Sequence, residues 1–408
     1  MKRYQWMGIM LSLVLLLCSC GTDKEVEKKA GESTSTPSAT ASVTPLISED
    51  EAFSEAEKIV KTMTIEQKVG QMFLVDLLQL DASPSVDGTA YKATDSMKQA
   101  IIDYHLGGVY LTKENIKSQK QTKKLVQNLQ ASVVSGSALY VAVEEDGGGE
   151  NSISAKVEDL KDTGYVTPKE MGQNMTANQI YESGKTIAGE LTKIGINLNL
   201  APVADLASDQ NPSYAMRCMG SDADAVADLL DDFVSGMREG GISVTLRTFP
   251  GIGNVSADVT ESIAENTDSL MTIRDTNFVP YASGIQAGAD CVMVSNAAYS
   301  KLTVKKVPAF MSQDIVTKLL REELGFDGIV MTSPLNDNVI ENNYTNEFAV
   351  VEAVKAGCDL IVLPGNFKEC YEALITAVEE GRIDEKVINT SVRRILQNKI
   401  QRGILVLE

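Results

Sequence analysis

The segment Ile242–Thr260, with the sequence ISVTLRTFPGIGNVSADVT, joins a strand-like run to a loop rich in proline and glycine. The run Ile242–Leu246 is short and largely apolar, as in a strand that is buried on both faces. Pro250, Gly251 and Gly253 end this strand, because proline lacks a backbone N–H and glycine allows backbone angles that other residues avoid. A buried strand therefore leads directly into a loop with a specialised backbone.

Similar strand-like runs recur along the chain, and a segment with helical periodicity precedes each of them; the first of these helices is predicted over Glu51–Val69. The eight runs are Gly70–Leu77, Gly107–Leu111, Ala138–Val143, Asn197–Val203, Ser243–Arg247, Cys291–Ser295, Gly328–Thr332 and Leu360–Leu363. They do not alternate apolar and polar residues, which indicates a parallel sheet. Eight β/α units in about 350 residues predict an α/β fold, a single TIM-like (β/α)8 barrel over residues 49–408. A doubly wound open sheet is the alternative, although no GxGxxG motif follows the first strand.

The N-terminus has the pattern of a bacterial lipoprotein signal peptide. Lys2 and Arg3 precede the apolar run Met7–Leu17, which is too short to span a bilayer. The next residues, Leu17–Gly21 (LCSCG), match a lipobox in which Cys20 is the residue that becomes lipid-modified. We therefore expect a signal peptide at residues 1–19, with an ordinary cleaved signal peptide as the alternative.

Residues 20–48 combine Lys/Glu pairs with a Ser/Thr/Pro/Ala run. Such a segment cannot bury enough apolar surface to fold, so we expect a flexible, disordered tether. The lipid on Cys20 would then hold the barrel at the extracytoplasmic face of the cell membrane.

The chain of 408 residues has a formal net charge of −19, which argues against nucleic acid as a partner because phosphates would be repelled. We expect a monomer.

The cysteines and the single histidine, His105, show no metal-ligand spacing, so neither a metal nor a cofactor is predicted. Four cysteines lie in the barrel, and we favour buried free thiols over any of their three possible disulfide pairings; they are Cys218, Cys291, Cys358 and Cys370.

Polar and glycine-rich residues cluster directly after the predicted strands. In a TIM barrel these positions form the site, because the loops after the strands share one end of the barrel. The clusters are Glu144–Gly149 (EEDGGG), Asp205, Arg217, Arg247–Asn254, Asn296 and Thr332–Pro334.

Several motifs resemble glycoside hydrolase family 3, in its β-N-acetylglucosaminidase branch, over about residues 50–405. The stretches that carry the resemblance are Met63–Gln71 (MTIEQKVGQ), Gly107–Val109 (GGV), Asn199–Asp205 (NLAPVAD), Leu246–Thr260, Ala287–Asn296 (AGADCVMVSN) and Leu320–Gly328 (LREELGFDG). The resemblance implies the barrel fold and an amino-sugar site at the strand ends.

The resemblance also implies that the catalytic positions are substituted, with none intact. Ser333 stands where the family has its aspartate nucleophile, and Asp258 and Thr260 stand where it has a catalytic Asp-His pair. Arg247 and Thr248 replace a substrate-binding Lys-His pair.

Two further differences concern the loops around the implied substrate site. Arg217 matches a family arginine, and the loop that begins at Glu144 keeps carboxylates but loses its arginines, one of them at Ser152. Together with Arg247 and Thr248, the implied substrate-binding residues are therefore Glu144 and Arg217.

These substitutions remove the groups that retaining hydrolysis needs, a carboxylate nucleophile and a group that donates and accepts a proton. A serine needs an adjacent base, and a threonine does not titrate near neutral pH. His105 precedes a strand and is expected at the opposite end of the barrel in a structural role. We therefore expect a degenerate enzyme that binds amino-sugar or peptidoglycan fragments, with Arg217 and Arg247 holding ligand groups.

Other interpretations remain open. An active glycosidase could use relocated carboxylates, for which the candidates are Glu144, Glu145, Asp146, Asp205, Asp258 and Asp337. The chain could also be a structural or partner-binding envelope protein, with its cavity filled by Phe249, Ile252 and Met219. In addition, the two arginines could pair with Glu144 and Asp258 instead of a ligand, and the glycines 147–149 could cradle an anion.

Substitution of Cys20 tests the predicted membrane attachment. Cys20→Ala should move the protein from the membrane fraction to the soluble fraction, because it removes the site of lipid attachment. Immunoblotting of both fractions measures this, with Cys18→Ala as the matched control. Retention of a processed Cys20→Ala protein in the membrane would contradict the lipoprotein interpretation.

Overall fold

The computed structural model describes residues 47–133, 138–148, 153–155, 157, 165–255 and 257–407. The predicted signal peptide, Cys20, the tether up to residue 46, Gly149 and Ser152 lie outside these residues. No helix in the described ranges is long and apolar enough to cross a membrane.

The described residues form ten short strands. They are β1 (Phe73–Asp76), β2 (Gly108–Tyr110), β3 (Tyr140–Val143), β4 (Leu198–Asn199), β5 (Ser243–Phe249), β6 (Glu265–Asn266), β7 (Cys291–Val294), β8 (Ala298–Tyr299), β9 (Ile329–Thr332) and β10 (Ile361–Val362).

Eight of these strands make one parallel sheet in the order β10-β1-β2-β3-β4-β5-β7-β9. A single bridge between Met331 and Leu360 links β9 to the start of β10, so the sheet is a nearly closed barrel. The predicted TIM-like barrel is confirmed, and the open doubly wound sheet is excluded. Strands β6 and β8 form a separate parallel pair that the sequence analysis did not predict.

Helices connect the strands and surround the barrel. The longer ones are Glu49–Thr62, Ile65–Gln71, Asp95–Asp103, Gln119–Gln130, Pro168–Asn174, Ala177–Lys193, Ala223–Glu239, Phe278–Gln286, Asn346–Ala356, Phe367–Glu379 and Glu385–Gln401, with a π-type helix at Asp314–Glu323. Shorter ones are Leu77–Leu80, Leu270–Asp275 and Asn338–Glu341, and single 3-10 turns lie at Ile153–Ala155, Tyr214–Arg217 and Ala309–Met311.

The prediction of one helix over Glu51–Val69 is wrong in detail. Thr64 begins a second helix there, because its hydroxyl accepts a hydrogen bond from the Gln67 backbone while the Gln67 side chain accepts one from Thr64 N–H. This reciprocal capping satisfies backbone donors that a continuous helix would not leave free.

The core fills the barrel and the layer between the strands and the helices. Strands β3, β7 and β9 are buried at every residue, consistent with their continuous apolar sequences. Burying one such Val, Leu or Ile side chain stabilises the fold by about 1.5–3 kcal/mol. Cys218, Cys291, Cys358 and Cys370 are buried and unpaired, as expected.

The N-terminal end of the barrel is closed by Lys399, which is fully buried. Its ammonium donates to Gln71 Oε1 at 2.9 Å and to the Gly107 carbonyl at 2.8 Å, and burial lowers its pKa to about 7. His105 lies at this end, just before β2, and its carbonyl accepts a hydrogen bond from Gln71. The histidine is therefore at the end opposite the loops that follow the strands, as predicted.

A glycine contact between the helices Ala177–Lys193 and Ala223–Glu239 gives a stability prediction. A Cβ added at Gly236 would lie 2.0 Å from the Tyr181 carbonyl oxygen, whereas one at Gly189 would meet no atom within 4 Å. Gly236→Ala should lower the free energy of unfolding by about 1–3 kcal/mol. Gly189→Ala should leave it unchanged or raise it by up to about 1 kcal/mol, because alanine favours the helix.

Urea unfolding of both variants measures the difference. Equal stability of the two variants would show that the helices are not packed this closely.

Candidate functional site

A cavity of about 510 Å³ opens at the ends of the strands from which the loops emerge. Most of the residues that line it are polar in type, and they include side chains that follow β3, β7 and β9. The lining residues are Glu144, 210–214, Arg217, Arg247, Thr248, Ile252, 257–260, Met293, Asn296, Ser333, Pro334 and Asp337.

Glu144 lies between two arginines in this cavity. Its Oε2 is 2.6 Å from Arg247 Nη1, and its Oε1 accepts a short hydrogen bond from Arg217 Nη2. Burial alone would raise its pKa, but Arg247 and Arg217 together lower the pKa of Glu144 to about 2. The carboxylate is therefore charged at neutral pH and cannot serve as a general acid.

Arg217 also pairs with a second carboxylate. Its Nε and Nη2 donate to Asp146 Oδ2 at 3.1 and 3.0 Å. The alternative that the arginines pair with Glu144 and Asp258 is therefore right for Glu144 and wrong for Asp258, which accepts hydrogen bonds from Thr260 instead. One N–H donor of the two guanidinium groups is unsatisfied: Arg247 Nε is buried and has no hydrogen-bond partner in the described structure.

Asp205 is a structural hub beneath the cavity. Its carboxylate accepts hydrogen bonds from the Thr248 N–H at 3.2 Å and hydroxyl at 2.9 Å, the Ile252 N–H at 3.3 Å, and the hydroxyls of Tyr214 and Tyr281 at 2.9 and 2.8 Å. Burial raises the pKa of Asp205 against the effect of these donors. Asp205 therefore orients the backbone at the end of β5 and in the loop that follows it.

The two tyrosines of this hub were not recognised from the sequence. Tyr281 comes from the helix Phe278–Gln286 and Tyr214 from a single 3-10 turn, and neither has a motif that would mark it. Tyr214 also places its ring 5.9 Å from the Arg217 guanidinium, a distance typical of a cation–π contact.

The side chains at the implied catalytic positions are engaged elsewhere. Ser333 is 5% exposed, and its hydroxyl donates to the Val294 carbonyl at 2.9 Å. The hydroxyl and N–H of Thr260 donate to Asp258 Oδ1 at 2.7 and 2.8 Å. No hydrogen bond in the described ranges joins Ser333 to a base that could activate it.

Asp337 lies in the same cavity, half-buried. It occupies the N-cap position of the helix Asn338–Glu341, but its side chain makes no capping hydrogen bond there. Its Oδ2 instead accepts a hydrogen bond from Asn296 Nδ2 at 2.8 Å. Burial, and next the charge of Asp258, raise the pKa of Asp337 to about 7.

Glu145 supports the loop after β3 and does not line the cavity. It is fully buried and accepts hydrogen bonds from the Gly147 and Ser154 N–H groups at 2.9 and 2.8 Å. Because the Gly147 N–H is used in this way, it does not contribute to an anion cradle. Gly147 and Gly148 have φ of 107° and 117°, which favours glycine at both positions.

The cavity is open and is not filled by the apolar residues considered above. Phe249 packs away from it, with its ring centroid 5.5 Å from that of Phe278 and 5.2 Å from that of Tyr281. Of the three apolar residues considered, Ile252 alone is part of the lining. The described residues contain no group of three or more potential metal ligands.

The model of the glycosyl hydrolase family 3 N-terminal domain matches residues 64–398. Among curated relatives, beta-hexosaminidase A of Pseudoalteromonas piscicida is 26% identical over 369 residues, which cover 83% of this chain but 61% of the relative. Beta-hexosaminidase of Xylella fastidiosa (strain M23) is 29% identical over 266 residues, covering 64% of this chain and 77% of the relative. The chain thus spans less than two thirds of the first of these relatives.

Two solved structures of β-N-acetylhexosaminidase type are also similar to this chain in sequence and fold. A family 3 beta-N-acetylglucosaminidase from Paenibacillus sp. is 29% identical with a TM-score of 0.75, covering 85% of this chain and 64% of that structure. Beta-N-acetylhexosaminidase from Beutenbergia cavernae is 28% identical with a TM-score of 0.72, covering 83% and 98%.

The position of Glu144 between two arginines predicts a pH-dependent contribution to stability. Its folded-state pKa of about 2 lies below the ordinary 4.5, so its stabilisation is present above about pH 4.5 and is lost as the pH falls toward 2. Glu144→Gln should therefore lower the free energy of unfolding by about 2–3 kcal/mol at neutral pH, and by progressively less below about pH 4.5.

Urea titrations over this pH range measure the effect. Glu57→Gln is the matched control, since Glu57 forms an exposed pair with Lys61 at 3.5 Å and should contribute less than about 0.5 kcal/mol. A loss that is independent of pH would contradict the ionic role of Glu144.

Proposed function

Because the chain belongs to glycosyl hydrolase family 3 by its N-terminal domain, we propose that it binds amino-sugar or peptidoglycan fragments without hydrolysing them. The observation that carries this proposal is the state of Ser333. Its hydroxyl donates to a backbone carbonyl and lies at the position implied for a carboxylate nucleophile. A serine in this arrangement is not activated to form the glycosyl-enzyme intermediate, because no base among the described residues is hydrogen-bonded to its hydroxyl.

Thr260 supports the same conclusion for proton transfer. Its hydroxyl donates to Asp258, and a threonine does not exchange a proton near neutral pH. With both positions substituted, neither step of double displacement has its reacting group.

Binding, in contrast, has the groups that it needs. The cavity of about 510 Å³ is large enough for a sugar ligand and keeps charged and hydroxyl side chains around an open space. Glu144 and Thr248 line this space, and their oxygens can accept hydrogen bonds from sugar hydroxyls. Thr248 is held in place by Asp205, which fixes its position in the lining.

We further propose an envelope location. In this proposal, a signal peptide at residues 1–19 and a tether at residues 20–48 would direct the barrel at residues 49–408, and with it the cavity, to the extracytoplasmic side of the membrane. The lipid on Cys20 would tie the protein to the cell membrane, where peptidoglycan fragments are found.

A second candidate function is glycoside hydrolysis with a relocated carboxylate. The observation that favours it is Asp337, which lines the cavity and whose pKa of about 7 suits a residue that donates and accepts protons at neutral pH. A partner-binding role without any sugar ligand is a third possibility, and failure of all sugars to bind would favour it.

An activity assay separates the first two functions. The wild-type protein should release no chromophore from a β-N-acetylglucosaminide above the buffer rate, and Ser333→Ala should not change this result. A rate that Asp337→Asn abolishes, and Ser333→Ala does not, would establish the second function instead.

Calorimetric titration with N-acetylglucosamine oligomers, glucosamine oligomers and muropeptides tests binding. Ala257→Trp should abolish it by filling the cavity from an exposed position in its wall, and Ala82→Trp, at an exposed position outside the lining, should not.

A further inference from the structure

The charges that line the cavity fall into two groups with different balance. In the first group, Arg217 and Arg247 face Glu144 and Asp146, so two guanidinium groups meet two carboxylates. A ligand carboxylate that approaches these arginines must compete with partners already at hydrogen-bond distance. This group is therefore electrically neutral before any ligand arrives.

The second group has no such balance. Asp258 and Asp337 both line the cavity, and no lysine or arginine in the described ranges lies within 4.0 Å of either carboxylate. The charged groups that act on Asp337 are Asp258 and Glu261, which raise its pKa, and Arg247, which lowers it. The acidic side of the cavity thus holds two carboxyl groups without a cation at hydrogen-bond distance, and Asp337 would gain from a cation placed beside it.

Asn296 adds a second, independent observation at this place. It is 1% exposed and its Nδ2 donates to Asp337 Oδ2, but its Oδ1 has no hydrogen-bond partner in the described structure. A buried acceptor without a donor costs about 1–3 kcal/mol, so nearly all such groups in proteins are satisfied. Asn296 and Asp337 line the same cavity, so a single cation with several N–H donors could satisfy both the unpaired acceptor and the carboxylate.

An ammonium group has these properties. It carries a full positive charge and three N–H donors, whereas an acetamido group is neutral and has one N–H donor. The acetamido carbonyl would also bring a second oxygen towards the carboxylate.

We propose that the cavity selects amino sugars whose amino group is free, with the sugar ammonium bound by Asp337 and Asn296. This inference rests on the proposed function, since it names the class of sugar that the same cavity takes. Glu144 and the arginines then contact the neutral hydroxyls of the ring, and the acidic side of the cavity determines which substituent is accepted.

Calorimetric titration at neutral pH tests the inference with two probes, a short β-linked glucosamine oligomer and an N-acetylglucosamine oligomer of the same length. The wild-type protein should bind the glucosamine oligomer at least tenfold more tightly. Asp337→Asn should weaken that binding roughly ten- to a hundredfold, the usual effect of losing a charged hydrogen bond, and should remove the preference between the probes. Asp337→Glu should retain part of the preference for the glucosamine oligomer, because it keeps the carboxylate.

The matched control is Asp231→Asn, at an exposed position in the helix Ala223–Glu239. It removes the same charge from a chain of net charge −19, so it reports any non-specific attraction of the cationic oligomer. An equal loss in Asp231→Asn and Asp337→Asn would overturn the inference. A thermal melt of each variant confirms that it is folded.

The outcomes separate the inference from the proposed function. Equal or tighter binding of the N-acetylated oligomer would overturn the inference and leave sugar binding intact. If neither oligomer nor any muropeptide binds, the proposed function fails together with the inference.

Discussion

Eight short parallel strands, buried on both faces, leave little room for polar side chains inside the sheet. Because parallel strands expose their carboxyl ends together, polar residues that follow different strands meet at one end of the barrel. Glu144 after β3, Arg247 in β5 and Ser333 after β9 share a cavity for this reason, although they are far apart in the chain. The opposite end is closed by Lys399, which donates hydrogen bonds to Gln71 Oε1 and the Gly107 carbonyl.

Within the cavity, ion pairs account for the burial of the charged residues. Two arginines in a low-dielectric site would repel each other without Glu144 between them, and Asp146 completes the balance for Arg217. Asp205 has no cation partner among the described residues and instead accepts five hydrogen bonds, from the end of β5, the loop after it and two tyrosines, although burial still raises its pKa. These contacts hold the side chains around the cavity in place.

The sequence predicted the barrel well, because continuous apolar runs and helical periodicity are local signals. All eight barrel strands lie within the predicted runs or extend one of them, as β5 does to Phe249. The break at Thr64 was missed, since a capping box inside a helical pattern is a weak signal beside strong periodicity. The pair β6–β8 was also missed, because Glu265 and Asn266 of β6 are polar and form no apolar run.

For the site, sequence and family resemblance identified the cavity residues Glu144, Arg217, Arg247 and Ser333. They could not show which carboxylates were already paired, because that depends on distances between side chains from different strands. Asp337 and Asn296 illustrate the limit. Each was visible as a polar residue after a strand, but their contact joins two loops 41 residues apart.

The loop that follows β5 is braced from several directions, and this affects the thermodynamics of any ligand that the cavity takes. The Tyr299 hydroxyl donates to the Gly251 carbonyl at 2.9 Å, and Asn277 Nδ2 donates to the Pro250 carbonyl at 2.9 Å. A side chain at Gly251 would collide with Asn277, so glycine permits this close contact. A wall held in this way loses little conformational entropy when a ligand arrives, so affinity comes from the contacts themselves with little offset for ordering the loop.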